Sequence, residues 1–365
     1  MPGRSRIRAP SLVDLNIILV VLVIAIALLF DYTNGFHDAA NAIATSVSTR
    51  AMKPRTALAM AAVMNLVGAL LGTAVAKTIG ESIINVNELA MSDNEHVQRF
   101  GLIIVMSALL GAVVWNYLTW WFGLPSSSSH ALIGGLVGAG LASATQVKWL
   151  AITNLVIIPM FMSPVIGFVL SYFLMKLVIR SLKDLPYHKT MRRFRHMQRF
   201  SSAAIALGHG LQDAQKTMGI IVMALIAGGY GATHNVFDPV TGEMTIPLWV
   251  KMAAALAIAL GTYSGGFRIM KTLGSKMIDV DPAKGFVAES VAASVLYLAA
   301  YVVHAPISTT QTMTASVLGV GATRGLGSVR WSVAGHIVVA WVLTLPAAAA
   351  VSYGLFFLLN WVIPA

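Results

Sequence analysis

The chain has 365 residues, 57% of them hydrophobic and only 11% charged, and its mean hydropathy is +0.76. A water-soluble core of this composition would leave large apolar patches exposed, so the class is a polytopic membrane protein. The lack of cysteine excludes disulfides and thiolate metal sites. The net charge of +11 lies mostly in short loops between apolar runs, which fits membrane topology and not nucleic-acid binding.

Arg4, Arg6 and Arg8 precede an uncharged run over 15–30 and resemble the start of a signal peptide, but no small-x-small cleavage site follows. The run therefore reads as a retained first helix. Residues 14–49 are long enough for one broken helix or two short crossings, and they contain Gly35-Phe36-His37-Asp38-Ala39. Arg50, Lys53 and Arg55 mark a basic loop; Glu81, Glu88, Asp93 and Glu95 against Arg99 mark an acidic one. The uncharged residues 101–122 then lead into Pro125-Ser126-Ser127-Ser128-Ser129-His130. Proline followed by hydroxyl residues interrupts a helix, so 131–144 are expected to return to the side from which 101–122 came. Residues 149–180 cross once more. A basic segment over 180–200 has seven Lys/Arg between Arg180 and Arg199 against Asp184. It reads as a cytoplasmic linker between a first unit, 1–179, and a second, 201–365.

The second unit repeats the first. Gly210-Leu211-Gln212-Asp213-Ala214 matches the first aspartate motif, 247–261 matches 54–68, and Lys271-Thr272-Leu273-Gly274 matches Lys77-Thr78-Ile79-Gly80. Pro306-Ile307-Ser308-Thr309-Thr310-Gln311 matches Pro125 to His130, in a register that continues to Gly319 and Gly321. The shared order of weak matches makes chance a poor explanation. Equivalent loops carry opposite charge bias. The counterpart of the Arg50–Arg55 loop has Asp238 and Glu243 with no Lys or Arg, and that of the acidic loop has Arg268, Lys271, Lys276 and Lys284 against Asp279 and Asp281. Opposite bias is what inverted repeats require. The expected fold is therefore all-α: two inverted-topology repeats, each with a re-entrant helical hairpin, and about 10–12 membrane segments by this reading. Glu289 is expected at a membrane edge, with Lys284 or Arg268 as partners.

Ionisable groups in apolar helices are functional candidates by default. Hydroxyl-rich hairpin tips that open helices offer O–H groups, free N–H groups and a positive dipole end, which together suit an oxyanion. Ser127, Ser128, Ser129, Ser308, Thr309 and Thr310 are the candidate anion ligands, though hydroxyls of this kind also serve as caps or interhelical glue. Ionised Asp38 and Asp213 would repel an anion, so they fit cation ligands or proton carriers. Asn41 shares a helical face with Asp38 and adds an amide oxygen for a cation such as Na⁺. Lys216 stands at the matching position and can pair with Asp213 or with an anion. His37 and His130 join Lys216 as candidate proton relays, against the plainer reading of satisfied hydrogen-bonding groups. No Walker loop is present, so ATP-driven transport by this chain is unsupported.

These motifs resemble the PiT-type inorganic phosphate transporter family, on Asn34 to Ala42 with Ser48 to Met52, Gly123 to His130, His209 to Lys216, and Pro306 to Thr310. The resemblance implies a bacterial low-affinity permease in the plasma (cell inner) membrane. It implies a homodimer and symport of phosphate, free or as metal-phosphate, with H⁺ or Na⁺. It also places the paired-motif residues and hairpin hydroxyls at the substrate and ion sites, Gln212 among the phosphate ligands, with no cofactor. Gln212 and Gln311 depart from the family's usual Asn and His, which bears on cation choice. A sulfate symporter is the alternative within the class, and an intramembrane phosphatase outside it.

Overall fold

The computed structural model describes residues 15–82, 94–231, 233–238 and 243–363. Among these the protein is all-α, with only two isolated β-bridges. Arg4, Arg6 and Arg8, and Glu88 and Asp93 of the acidic loop, lie outside the described residues.

Residues 14–49 had two readings, and one helix resolves them: α1 is unbroken over Leu15–Ser48. Its polar residues do not break it because Asp31, Asn34, Asp38, Asn41 and Thr45 recur every three or four positions, on one buried face. Leu15, Ile17 and Val21 are exposed. Next come α2 (Pro54–Leu70), α3 (Ala74–Ser82), α4 (Glu95–Trp121), α5 (Ser128–Ala142) and α6 (Trp149–Leu182). Then α7 runs 41 residues over Tyr187–Ala227. It draws Lys189 to Arg199 into its first turns, so only 183–186 separate it from α6. The chain continues through α8 (Leu248–Ser264), α9 (Phe267–Lys271), α10 (Pro282–Val303), α11 (Thr309–Ala322) and α12 (Trp331–Val362).

Five of these helices, α1, α4, α6, α10 and α12, are long and apolar enough to cross a membrane. A sixth span is formed if α8 is joined to residues 268–274 across a 60° bend. The apolar α2 and α5 are shorter, at 17 and 15 residues.

The packing pairs off by halves. α1 packs on α8 as α7 packs on α2; α5 packs on α12 as α11 packs on α6; α1 meets α4 as α7 meets α10. α1 and α7 also pack on each other. Glycine permits the first of these pairings. A Cβ at Gly35 would lie 2.4 Å from Ile258 O on α8, and one at Gly210 would lie 2.1 Å from Asn65 O on α2. No side chain fits at either backbone approach. Both aspartate motifs are thereby pressed against a partner helix from the other half of the chain.

Each Pro-Ser/Thr block is the tip of a helix–break–helix hairpin, α4–α5 and α10–α11. At the break Gly123 and His304, equivalent in the repeat register, both adopt positive φ, +65° and +54°. Equivalent threonines hold the tips: Thr272 donates to Gly123 O at 3.1 Å and Thr78 to His304 O at 2.9 Å. Trp341 adds a bond to Pro125 O at 3.0 Å.

Candidate substrate and ion site

The two hairpin tips and the two aspartate motifs converge on one cluster, although they come from four separate parts of the sequence. Asp38, Asn41, His209, Asp213, Lys216, Ser128, Ser129, Thr309 and Thr310 are each at most 2% exposed. Thr309 Oγ1 lies 3.4 Å from Asp38 Oδ2 and 3.3 Å from Asp213 Oδ2, which puts the two carboxylates on either side of one hydroxyl. Ser128 donates to Asp38 Oδ2 at 3.3 Å and Thr310 to Asp38 Oδ1 at 3.0 Å. Asn41 Nδ2 donates to Thr310 Oγ1 at 2.8 Å. Lys216 Nζ contacts Asp213 Oδ1 and Ser129 Oγ, and also Ile307 O at 3.2 Å. The N-termini of α5 and α11 open at this cluster. Their first-turn N–H groups lack intrahelical partners and present the positive dipole end. Such a site holds carboxylates in this conformation and suits a tetrahedral oxyanion with its cation.

The expected residues divide by role. Ser127 and Ser308 are helix caps: Ser127 Oγ accepts from His130 N and Ser308 Oγ from Gln311 N, each at 3.2 Å. Ser128, Thr309 and Thr310 are the hydroxyls facing the carboxylates, while Ser129 accepts from Lys216 and donates to Ile307 O at 3.3 Å. Gln212 stands apart from the cluster contacts, with its amide donating to Leu296 O at 3.2 Å. That follows from helical phase, since Gln212 sits about 100° around α7 from Asp213. His37 Nδ1 lies 2.6 Å from Asp38 Oδ1, and its Nε2 is 3.3 Å from both Thr119 Oγ1 and Ser126 Oγ. His130 meets its repeat counterpart instead, with Gln311 Nε2 3.2 Å from His130 Nδ1.

His209 had no assigned role in the sequence reading, yet it faces both aspartates. Its Nε2 lies 3.0 Å from Asp213 Oδ2 and 3.9 Å from Asp38 Oδ2. A directed chain fixes its tautomer. Thr262 Oγ1 donates to Ile258 O at 2.8 Å, Asn65 Nδ2 donates to Thr262 Oγ1 at 2.7 Å, and Asn65 Oδ1 is left to accept from His209 Nδ1 at 3.0 Å. The Nδ1 proton is thus engaged, and Nε2 confronts two carboxylates with a lone pair or a second proton. With a lone pair, Asp38, His209 and Asp213 form a ligand set whose donor atoms all lie within 4.8 Å of one another. The signal was available in the sequence, because His209 precedes Asp213 by four residues and shares its face.

Glu289 corrects the membrane-edge expectation. It is fully buried on α10. It accepts from Thr45 and Ser201, and from Gln198 Nε2 at 3.0 Å. Lys284 pairs with Asp281 instead, and Arg268 stacks on Trp120 and Trp121. Asp31, two turns before Asp38, is also fully buried, and neither of its carboxylate oxygens has a hydrogen-bond partner among the described residues.

A model of the phosphate transporter family matches residues 34–352, a span that holds every cluster residue. A Bacillus subtilis protein described as a probable low-affinity inorganic phosphate transporter is 41% identical over 349 residues, covering 95% of this chain and 99% of its own. A Rhizobium meliloti protein of the same description is 44% identical, covering 92% and 94%. Among solved structures, one described as the sodium-dependent phosphate transporter superposes with a TM-score of 0.82 over 95% of this chain and all of its own, at 23% identity. That likeness supports the fold. The relatives are named as transporters and not as enzymes. A family match over most of the length, together with relatives above 40% identity, shows that the chain belongs to the phosphate transporter family.

Proposed function

We propose that this protein is a secondary active transporter that imports inorganic phosphate, free or as metal-phosphate, by symport with H⁺ or Na⁺. One observation carries the reading: two aspartate motifs and two hairpin helix N-termini meet in a single buried cluster. An oxyanion needs the hydroxyls and helix N-termini; the aspartates need a cation or protons. Both needs are met when the two ligands bind together, which is the physical basis of coupling.

The halves are inverted repeats in this proposal, supported by paired packing and by opposite loop charge. With the Arg50–Arg55 loop in the cytoplasm, the single helix α1 puts its own Leu15 end outside. The cluster residues are buried, and in this proposal alternating access follows from one hairpin at a time releasing its tip. The chain acts in the plasma (cell inner) membrane, as a homodimer.

The nearest approach to hydrolytic chemistry is the line Ser126–His37–Asp38. Ser126 Oγ donates to Thr119 Oγ1 at 2.8 Å, and Thr119 Oγ1 donates in turn to Trp115 O at 3.0 Å. Ser126 is therefore not poised as a nucleophile, and its repeat counterpart is Ile307. Proteoliposome uptake of labelled phosphate tests the reading. Accumulation that survives excess sulfate is the expected result. Sulfate-blocked uptake would overturn phosphate specificity, and ester hydrolysis without accumulation would overturn transport.

A further inference from the structure

We propose that the Lys216 ammonium is a tethered cation filling the second of two equivalent cation places, so that only one mobile cation, held at Asp38, accompanies each phosphate. The inference rests on cation-coupled phosphate transport and fixes which residue sets its stoichiometry.

The repeat register pairs Asp38 with Asp213, Asn41 with Lys216, Thr310 with Ser129, and Ser126 with Ile307. The contacts obey the same pairing. In one copy Asn41 bonds Thr310, which bonds Asp38; in the other Lys216 bonds Ser129 and Asp213. Thr310, from the opposite half's hairpin, bonds Asp38 directly, whereas Ser129, its counterpart, reaches Asp213 through the Lys216 ammonium. The Lys216 nitrogen sits among a carboxylate, a hydroxyl and the carbonyl of Ile307, an all-oxygen set of the kind that hard cations take. An ammonium with three donors satisfies that set in place of a metal ion.

In the first copy the corresponding residue is an amide. Asn41 uses its nitrogen on Thr310, while its buried Oδ1 has no hydrogen-bond partner among the described residues. An unpartnered carbonyl oxygen, on a residue that shares Thr310 with the Asp38 carboxylate, can serve as a ligand atom for a cation. With His37 and His209 neutral, two carboxylates and one ammonium leave one negative charge, which a single monovalent cation neutralises. A second mobile cation at Asp213 would meet Nζ head-on and be repelled.

The test counts Na⁺ bound to purified protein with ²²Na⁺ and without phosphate, so that its outcome does not depend on transport. Lys216→Asn restores to the second copy the amide of the first. We expect one more saturable Na⁺ per chain than in the wild type, and an apparent melting temperature that climbs with Na⁺ more steeply than the wild type's. Equal Na⁺ counts in folded Lys216→Asn and wild type would overturn the proposal. Should that variant not fold, Asn41→Lys gives the converse: a second tethered ammonium should remove the remaining saturable Na⁺ and abolish acceleration of uptake by imposed Na⁺ or H⁺ gradients. Gradient-driven uptake at wild-type stoichiometry in that variant would equally overturn it. Loss of phosphate uptake by the wild type would sink the transport reading and leave the Na⁺ counts standing.

Discussion

The two aspartates occupy equivalent positions but keep different company. Asp38 is held by neutral donors and His37; Asp213 is held by the Lys216 ammonium. Asp213→Asn therefore strands a buried ammonium. Breaking a buried pair from one side costs about 3–5 kcal/mol, so lowered thermal stability should accompany lost uptake. Asp38→Asn removes a charge that leaves no protein cation unpaired. It should keep the fold and lower coupled uptake by about a hundredfold, equivalent to about 2.7 kcal/mol of lost stabilisation. Uptake assays beside melting curves separate the two cases, and equal stability losses would contradict the asymmetry. The hydroxyls divide similarly. Ser127→Ala should cost about 1 kcal/mol of stability as a lost cap, while Ser128→Ala and Thr309→Ala should raise the phosphate KM without lowering stability comparably. Much of this was legible in the sequence, since motif and spacing named Asp38, Asn41, Asp213 and Lys216. Which serines cap and which face the carboxylates was not legible, because four consecutive serines differ only in backbone direction at the helix start. Gln212 makes none of the cluster hydrogen bonds for a related reason: adjacency to Asp213 in sequence is not adjacency on a helix.

At the scale of elements, the site exists because helices from opposite halves approach within backbone contact. Gly35 on α1 lies against Ile258 O of α8, and Gly210 on α7 against Asn65 O of α2. The second contact also positions Asn65, whose side chain fixes the tautomer of His209. Gly210→Ala drives a methyl into a carbonyl that cannot move without shifting α2. An overpacked core contact of this kind costs about 1–3 kcal/mol. The expected outcome is a melting temperature lower by several degrees and uptake lost beyond what the destabilisation explains, because Asn65 is displaced from His209. A control at Gly354 on α12, where an added Cβ meets nothing within 4 Å, should change neither measurement. The hairpins were legible as proline-interrupted helices, and their pairing as repeats. The continuity of α1 was not, because a proline-free polar stripe reads equally well as a break until burial shows that Asp31, Asn34, Asp38, Asn41 and Thr45 share one face.

For the whole molecule, the polar stripe of α1 joins groups that the sequence scatters. Asp31, Asp38 and Thr45 lie two turns apart along one helix, and Thr45 leads to Glu289. A cation or proton entering at the central site therefore has carboxylates on both sides of it along α1, toward the Arg50–Arg55 loop and away from it. Separately imposed gradients decide which ion uses this line. Proteoliposomes with an inward H⁺ gradient and no Na⁺, or an inward Na⁺ gradient at equal pH, should accumulate phosphate in one case and only equilibrate it in the other. With one tethered ammonium in the site, monoanionic phosphate and one monovalent cation cross without net charge. The productive gradient should then drive accumulation that a clamped membrane potential changes little. Removing the tethered charge by Lys216→Asn should make the same uptake respond to potential, because a second mobile cation adds a positive charge to each cycle. A wild type driven strongly by potential would contradict the single mobile cation.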